Sequence, residues 1–297
     1  MTNATSLILH HYDTSPFAEK ARVGLGLKGL DWYGVDIPVA MPKPDLTPLT
    51  GGYRKTPVLQ IGADIYCDTK LIFDEVEQRF PTPSYYPAGN RGLVQMMGRF
   101  CDGPWFQQSV AMIFGTIGDF VPDDFKKDRE KLMGRAFDTD AMKAALPLVR
   151  EQLAVSFGWL DQQLADGRDF VEGPAPGLAD LHAYLNVWFL GATVSQELAP
   201  LLTPTVSAWA ERMAGLGHGQ KTVLPAADAL ATAKDASPSV TGEGPRVTVM
   251  ADDYGKDPVQ GMLVADTTER TVLLREDDTL GQIAVHFPKS GFVVIRS

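Results

Sequence analysis

The sequence predicts an α/β domain, then an all-α domain, then a small antiparallel β module. The chain first alternates between β-branched runs and amphipathic helical runs. From Arg91 onward apolar residues recur at helical spacing instead. Beyond residue 245 short apolar alternations are separated by turn signals, which favours about five short strands. The predicted domains cover residues 1–83, 84–234 and 246–297.

Length and composition are typical of a globular protein. The 297 residues fit about two domains of ~150 residues each, and 44% of the residues are hydrophobic. The net charge of -10 disfavours nucleic acid and anionic membranes as partners, because both attract basic patches. No stretch approaches the ~20 apolar residues of a membrane span, and no basic leader opens the chain. We therefore expect neither a membrane nor nucleic acid as a partner.

Cysteine and histidine usage gives further expectations. Cys67 and Cys101 form neither a disulfide framework nor a CxxC motif, which fits a reducing cytosol and a cytoplasmic protein. Cys67 is predicted to lie in a strand beside a carboxylate and without a thiolate stabiliser, so we expect a buried and unreactive thiol. The histidines show no metal-ligand spacing, and we predict no metal site.

The first domain opens with a strand followed by a capped helix. Residues 6–12 read as a strand, and Ser15 then stands at an N-cap with Pro16 at the first helical position. A second strand is predicted over 31–39. Residues 41–53 are rich in proline, glycine and threonine, which predicts a loop with room for one short helix.

The stretch from Lys55 to Thr69 is the most informative part of the chain. It predicts a strand, a tight turn, a second strand and a helix start. Pro57 stands at the mouth of the first of these strands, where a proline is tolerated because it cannot donate to a sheet. If its peptide bond is cis, the backbone N–H and C=O of Thr56 turn outward, free to pair with an extended, peptide-like ligand.

These residues resemble the N-terminal domain of the glutathione S-transferase family, which has a thioredoxin-like fold of order β-α-β, loop, β-β-α. The resemblance implies that Pro57 is the family's cis-proline and that Thr56 pairs with the cysteinyl unit of glutathione. It also implies that Asp68 and Thr69 hold the γ-glutamyl end, with Asp68 binding the ammonium group. A helix N-terminus offers free N–H groups that suit a carboxylate. The alternative is that Asp68 or Thr69 is simply a helix cap.

Ser15 resembles the serine or cysteine that zeta- and omega-like transferases place at the start of the first helix. The resemblance implies that Ser15 is catalytic, because its hydroxyl and the helix dipole would stabilise the glutathione thiolate. A plain N-cap role is compatible with this one. Tyr12 and Thr14 are rivals as donors. A serine here also argues against thiol–disulfide exchange.

Other residues are assigned to the site by position. The resemblance implies that Phe17 lies beside the ligand and that Arg54 or Lys55 meets its glycine-end carboxylate, with surface solvation the expected role of at least one of them. Three aromatic residues are candidates for a second-substrate pocket, with core packing as the alternative: Trp105, Phe106 and Phe114.

The helical domain departs from the family at one cap. The family's core helix begins Ser/Thr-x-x-Asp, a reciprocal cap. Here Asp180 is in place, but Gly177 has no side-chain acceptor. We expect a normal helix with a weaker cap. The resemblance covers roughly residues 6–230 and does not include the β module.

Two functions compete. The first is a glutathione S-transferase-like enzyme that activates the glutathione thiol for attack on a small electrophile, by conjugation, isomerisation or dehalogenation. Glutathione is then a co-substrate, no metal is needed, and the family habit implies a homodimer. The second is a non-catalytic adaptor that binds a partner protein through its β module.

The β module is too small to bury much apolar surface alone. We therefore expect it to dock one face on the helical domain, and we favour a position away from the site over one that covers the cleft.

Overall fold

The computed structural model describes residues 2–296. The first domain contains β1 (Ile8–His11), α1 (Pro16–Leu27), β2 (Asp31–Asp36), α2 (Thr47–Thr50), β3 (Val58–Ile61), β4 (Asp64–Cys67) and α3 (Thr69–Arg79). Strand β1 pairs in parallel with β2 and antiparallel with β3, and β3 pairs antiparallel with β4. This order confirms the predicted thioredoxin-like fold.

A helical domain follows. Its helices are α4 (Arg91–Phe100), α5 (Phe106–Ile117), α6 (Asp123–Met133), α7 (Thr139–Ala144), α8 (Leu146–Leu164), α9 (Leu178–Leu198) and α10 (Pro204–Gly215). A π-helical turn, Cys101–Trp105, joins α4 to α5. Within residues 2–296, no helix has both the length and the apolar character needed to cross a membrane.

The core helix α9 has Gly177 at its N-cap, so no N-cap side chain can accept a hydrogen bond from the first turn. Asp180 accepts hydrogen bonds from the backbone N–H of Gly177 (3.0 Å) and of Val171 (2.8 Å). It also accepts one from the Trp209 indole at 2.8 Å. A Cβ atom at position 177 would lie 2.7 Å from Pro87. The interdomain linker therefore requires glycine here, and Asp180 anchors the helix start through three bonds.

After α10 the chain returns to the first domain. Strand β5 (Gln220–Val223) pairs in parallel with β2, and α11 (Ala226–Lys234) follows it. Ala229 and Ala233 of α11 are fully buried in a core shared with the first domain. The helical bundle thus ends at Gly215, and the predicted boundary at 234 is too late. All four residues of β5 are exposed, so no apolar alternation marks it as a strand.

The β module consists of β6 (Arg246–Ala251), β7 (Val259–Asp266), β8 (Arg270–Asp277), β9 (Gly281–Pro288) and β10 (Phe292–Arg296). These strands are the predicted antiparallel set. They extend the first domain's sheet into one of ten strands, in the order β10-β6-β7-β8-β9-β4-β3-β1-β2-β5.

The expected docking of the module on the helical domain is wrong. Strand β9 pairs in parallel with β4, with Ile65 opposite Val285 and Tyr66 opposite His286. The His286 ring also bonds the Asp64 carboxylate at 2.7 Å. An unpaired edge strand presents a row of free N–H and C=O groups, and β9 satisfies those of β4. The sheet edge therefore offers the module both hydrogen bonds and apolar contact.

The module and the first domain share one hydrophobic core. Phe287 is fully buried, with its ring centroid 6.0 Å from that of Tyr53 and 5.3 Å from that of Phe292. Val58 and Ile65 of the first domain belong to the same core. We therefore expect the two parts to unfold together.

Replacing Phe287 with alanine should test this coupling. Removing a buried phenylalanine costs about 3–5 kcal/mol of unfolding free energy. Hydrogen exchange should show that amides of β3 and β4 lose protection together with those of β8 and β9. Val293→Ala is the matched control, because Val293 lies in the same module but is 41% exposed. Protection that falls in β8 and β9 alone would show that the module unfolds independently.

Candidate functional site

Two adjoining cavities lie where the three parts of the chain meet. The polar cavity, about 330 Å³, is lined by residues that include Thr56, Pro57, Asp68, Thr69, Asp102 and Tyr254. The apolar cavity, about 690 Å³, is lined by residues that include Ser15, Phe17, Lys43, Phe106, Phe114 and Tyr254. Most of the residues predicted from the sequence line one or both of these cavities.

The polar cavity lies at the start of β3 and of α3. The Thr56–Pro57 peptide bond is cis. Asp68 is the N-cap of α3, and its carboxylate accepts a hydrogen bond from the Lys70 backbone N–H at 2.9 Å. Thr69 follows as the first helical residue and is buried. Asp68 therefore both caps the helix and lines the cavity, so the two readings of this residue are compatible.

Both the backbone conformation and the carboxyl pKa of Asp68 differ from their ordinary values. Its φ of 75° lies in the left-handed region, which non-glycine residues occupy sparsely. Burial raises the pKa of its carboxyl group, against the lowering effect of the Lys70 N–H. A cationic group bound in the polar cavity would offset that desolvation.

Ser15 is the N-cap of α1. Its hydroxyl oxygen accepts a hydrogen bond from the Ala18 backbone N–H at 3.2 Å, and the side chain is almost fully buried. Among the described residues its O–H has no acceptor. The hydroxyl is thus oriented by the helix start and keeps a hydrogen to donate. Tyr12 and Thr14, the rival donors, also line the apolar cavity.

The two basic residues predicted from the sequence are both paired. The Arg54 guanidinium contacts the Asp128 carboxylate of α6 at 2.5 Å, and both side chains are buried. The Lys55 ammonium contacts Asp253 of the β module at 2.6 Å. Arg54 therefore links the first domain to the helical domain, and Lys55 links it to the module.

Lys43 is a cation that the sequence did not single out. Its ammonium donates to the Thr56 hydroxyl at 2.9 Å and to the Arg54 carbonyl at 3.1 Å. Burial, followed by the charges of Arg129 and Arg54, lowers the pKa of Lys43 to about 8. It stands in a proline-rich loop without a recognisable motif, so no local signal marks it.

Aromatic rings form much of the apolar cavity. Phe17 packs edge-to-face against Phe106 with ring centroids 4.8 Å apart, and Phe106 stacks on Phe189 at 5.8 Å. Phe114 also lines the cavity. Trp105 instead lies in the helical core against Phe157. Of the three predicted aromatics, two face this cavity and one is a core residue.

Asp102, on the π-helical turn, is a second carboxylate at the polar cavity. Its oxygen contacts the buried Lys20 ammonium at 2.6 Å, and the His182 ring lies 3.4 Å away. Burial alone would raise the pKa of Asp102, but Lys20 and His182 lower it to about 2. Asp102 therefore stays ionised. Its partners are about 80 positions away in sequence, so spacing could not reveal it.

The β module reaches this site, which corrects the expectation that it lies away from it. Asp253 and Tyr254, on the loop between β6 and β7, line the polar cavity, and Tyr254 also lines the apolar one. Ser290 and Gly291, on the turn between β9 and β10, line the polar cavity as well. In the sequence these residues appear only as turn signals.

Neither cysteine has the environment of a nucleophile. Cys67 and Cys101 are free and buried, and burial raises the pKa of both thiols. In the described part of the chain, one group of potential cation ligands lies close together, namely His11, Asp13 and Asp36. Arg22 and Lys221 already lie within 4 Å of the Asp13 carboxylate, which opposes cation binding there.

Two family models match separate segments of the chain. Residues 9–84 match the model of the glutathione S-transferase N-terminal domain. Residues 113–220 match a domain of unknown function, DUF7962. No curated protein matches the chain.

Solved structures extend the comparison to the whole chain. A Tau class glutathione S-transferase from mango (Mangifera indica) is 20% identical and covers 70% of this chain and 88% of its own, with a TM-score of 0.54. Glutathione transferase F7 from Populus trichocarpa is 16% identical and covers 76% and 99%, with a TM-score of 0.53. At these identities the likeness shows the fold.

A GST-like protein from Pseudomonas syringae is much more similar. It is 38% identical, and the match covers 99% of this chain and 100% of that one, with a TM-score of 0.81. The match therefore includes the β module as well as the two preceding domains. On this full-length similarity, the chain belongs to the family of glutathione S-transferase-like proteins.

Proposed function

We infer that the protein is a glutathione-dependent enzyme that activates the glutathione thiol for attack on a small electrophile. The observation that carries this function is the junction of the two cavities. A polar cavity with a carboxylate at a helix N-terminus opens beside an aromatic cavity that contains the Ser15 hydroxyl. One cavity suits a charged tripeptide, and the other suits an apolar second substrate.

Glutathione fits the polar cavity in one orientation. Its α-ammonium group lies against Asp68, and its α-carboxylate lies against the N-terminus of α3 at Thr69. Its cysteinyl unit pairs with the backbone of Thr56 beside Pro57. Its glycine carboxylate then lies towards Lys43. Arg54 and Lys55 were also assigned to this carboxylate, but their ion pairs with Asp128 and Asp253 make Lys43 the better candidate.

Ser15 acts on the sulfur. The hydroxyl hydrogen donates to the thiolate, and the dipole of α1 adds to the stabilisation. Loss of the thiol proton to solvent leaves a nucleophilic sulfur that forms the new C–S bond. A leaving group on the electrophile departs with the electron pair of the bond that breaks. Phe17, Phe106 and Phe114 provide an apolar surface for the electrophile and exclude water.

A cytoplasmic homodimer completes this proposal and follows from the family resemblance. The second candidate function is an adaptor. The observation that favours it is the outer edge of the sheet, where Val293 and Ile295 of β10 are both substantially exposed. An unpaired edge of this kind can accept a strand from another protein.

Asp68→Asn should weaken glutathione binding. Asparagine keeps the cap acceptor and tolerates a positive φ, so the substitution removes mainly the charge. Loss of a charge-assisted hydrogen bond costs about 1.5–3 kcal/mol, or roughly 10- to 150-fold in the dissociation constant. Calorimetric titration at pH 7 measures it. The control is Asp31→Asn, an exposed carboxylate outside both cavities. Equal affinity in Asp68→Asn and the parent would show that the ammonium binds elsewhere.

Ser15→Ala should raise the thiol pKa of bound glutathione. A hydrogen bond to a charged group is worth about 1.5–3 kcal/mol, so the pKa should rise by about 1 to 2. Thiolate absorbance against pH measures it, and the loss of thiolate should be greatest between the parent's thiol pKa and the higher thiol pKa of the variant. The difference should vanish well below the parent's value, where neither protein holds thiolate, and well above the variant's value, where both do.

This substitution also removes a helix cap, which costs about 1 kcal/mol of folding free energy. Thr203→Ala is the matched control, because Thr203 caps α10 by accepting from the Val206 N–H at 3.2 Å. It should lower stability and leave the thiol titration unchanged. An unchanged titration in Ser15→Ala would transfer the donor role to Tyr12 or Thr14.

A further inference from the structure

Tyr254 lies on the boundary between the two cavities. Within residues 2–296, four residues line both of them: Phe17, Lys55, Thr56 and Tyr254. The proposed binding mode places Thr56 beside the cysteinyl unit and Phe17 beside the electrophile. Tyr254 is the member of this group that the β module contributes.

The loop that carries Tyr254 is fixed on three sides. The Lys55 ammonium bonds Asp253 at 2.6 Å and lies 4.0 Å from the centroid of the Tyr254 ring. The Gly255 N–H donates to the Leu132 carbonyl of α6 at 2.6 Å. The Asp252 N–H donates to the Gly291 carbonyl at 3.0 Å. These contacts join the loop to the first domain, to the helical domain and to its own module, so Tyr254 is a fixed wall.

Gly255 allows this close approach. Its φ of 61° lies in the left-handed region that favours glycine. A Cβ atom there would lie 3.0 Å from the Lys55 side chain and 3.1 Å from that of Leu132. The loop can therefore touch both domains at once.

The Tyr254 hydroxyl is left without a protein partner. No hydrogen bond joins it to any residue between 2 and 296, although the ring is partly buried. Burial and the nearby carboxylates raise the pKa of Tyr254 above its ordinary value, so the phenol stays protonated. A phenol of this kind normally has a hydrogen-bond partner. A ligand in the polar cavity supplies one.

We propose that Tyr254 is a substrate-contacting residue of the glutathione-dependent reaction. Its hydroxyl donates to the cysteinyl unit of bound glutathione, and its ring limits the size of the sulfur substituent that extends into the apolar cavity. This inference rests on the proposed function. It makes the β module part of the active site, because the module supplies a wall that the two preceding domains lack.

The test is calorimetric titration with glutathione, S-methylglutathione and S-hexylglutathione. Tyr254→Phe should weaken all three ligands by roughly three- to tenfold, the loss expected of one neutral hydrogen bond. Tyr254→Ala should raise the affinity for S-hexylglutathione relative to S-methylglutathione at least threefold. The matched control is Tyr33→Phe, since Tyr33 lies outside both cavities and its hydroxyl also has no partner within the described residues.

Each outcome decides one claim. Parent-like binding of glutathione by Tyr254→Phe would overturn the contact and leave the proposed function intact. An unchanged ligand ratio in Tyr254→Ala would overturn the role of the ring as a wall. If the parent protein binds none of the three ligands, the proposed function fails and this inference fails with it. Tyr254→Phe keeps the ring over Lys55, so its result does not depend on how well Tyr254→Ala folds.

Discussion

The pairing of β9 with β4 determines how the rest of the molecule is arranged. Because the two strands run in parallel, their carboxyl ends lie at the same edge of the sheet. The carboxyl end of β4 leads directly into Asp68 and α3, so the turn that follows β9 arrives beside the start of that helix. Strand β10 then returns antiparallel to β6, which brings the end of β6 to the same edge. If β9 paired antiparallel with β4, these loops would lie at the opposite end of the strands, away from Asp68.

Ion pairs then fix the three parts around the cleft. Two of these pairs, Lys20 with Asp102 and Arg54 with Asp128, join the first domain to the helical domain. The third, Lys55 with Asp253, joins the first domain to the β module. Desolvation offsets the attraction of the buried Arg54–Asp128 pair, and solvent weakens that of the Lys55–Asp253 pair, whose aspartate is 53% exposed. Such pairs contribute little net stability, but they define relative position. They also occupy the cations that would otherwise meet a ligand. The Lys43 ammonium donates to neutral oxygens, one of them the Thr56 hydroxyl, and pairs with no carboxylate in the described residues, so it can meet a ligand carboxylate beside Thr56.

The sequence predicts well those features that depend on residues only a few positions apart. The Ser15–Pro16 helix start and the strand–turn–strand–helix run from Lys55 to Thr69 depend on neighbours within a few positions, and both appear in the structure. The fold class followed from these elements and the family resemblance, and it is confirmed. The docking of the β module was predicted wrongly because burial of apolar surface was weighed without the open edge of β4. Composition indicates that a small sheet needs a partner, but not which edge or face it will use.

The polar contacts across the cleft could not be predicted from short stretches of sequence. Arg54 and Asp128 are 74 positions apart and Lys55 and Asp253 are 198, so no spacing rule connects them. Asp253 reads in sequence as part of an exposed turn, and its function in the fold appears only once β9 has placed that turn against the first domain. The full-length similarity to the Pseudomonas syringae protein gives this placement weight, since it includes the module and both domains. Because three parts of the chain line the site, substitutions in one part can change its lining without altering the other two. The lining from the β module, which includes Asp253 and Tyr254, is the part that a relative with only the first two domains lacks.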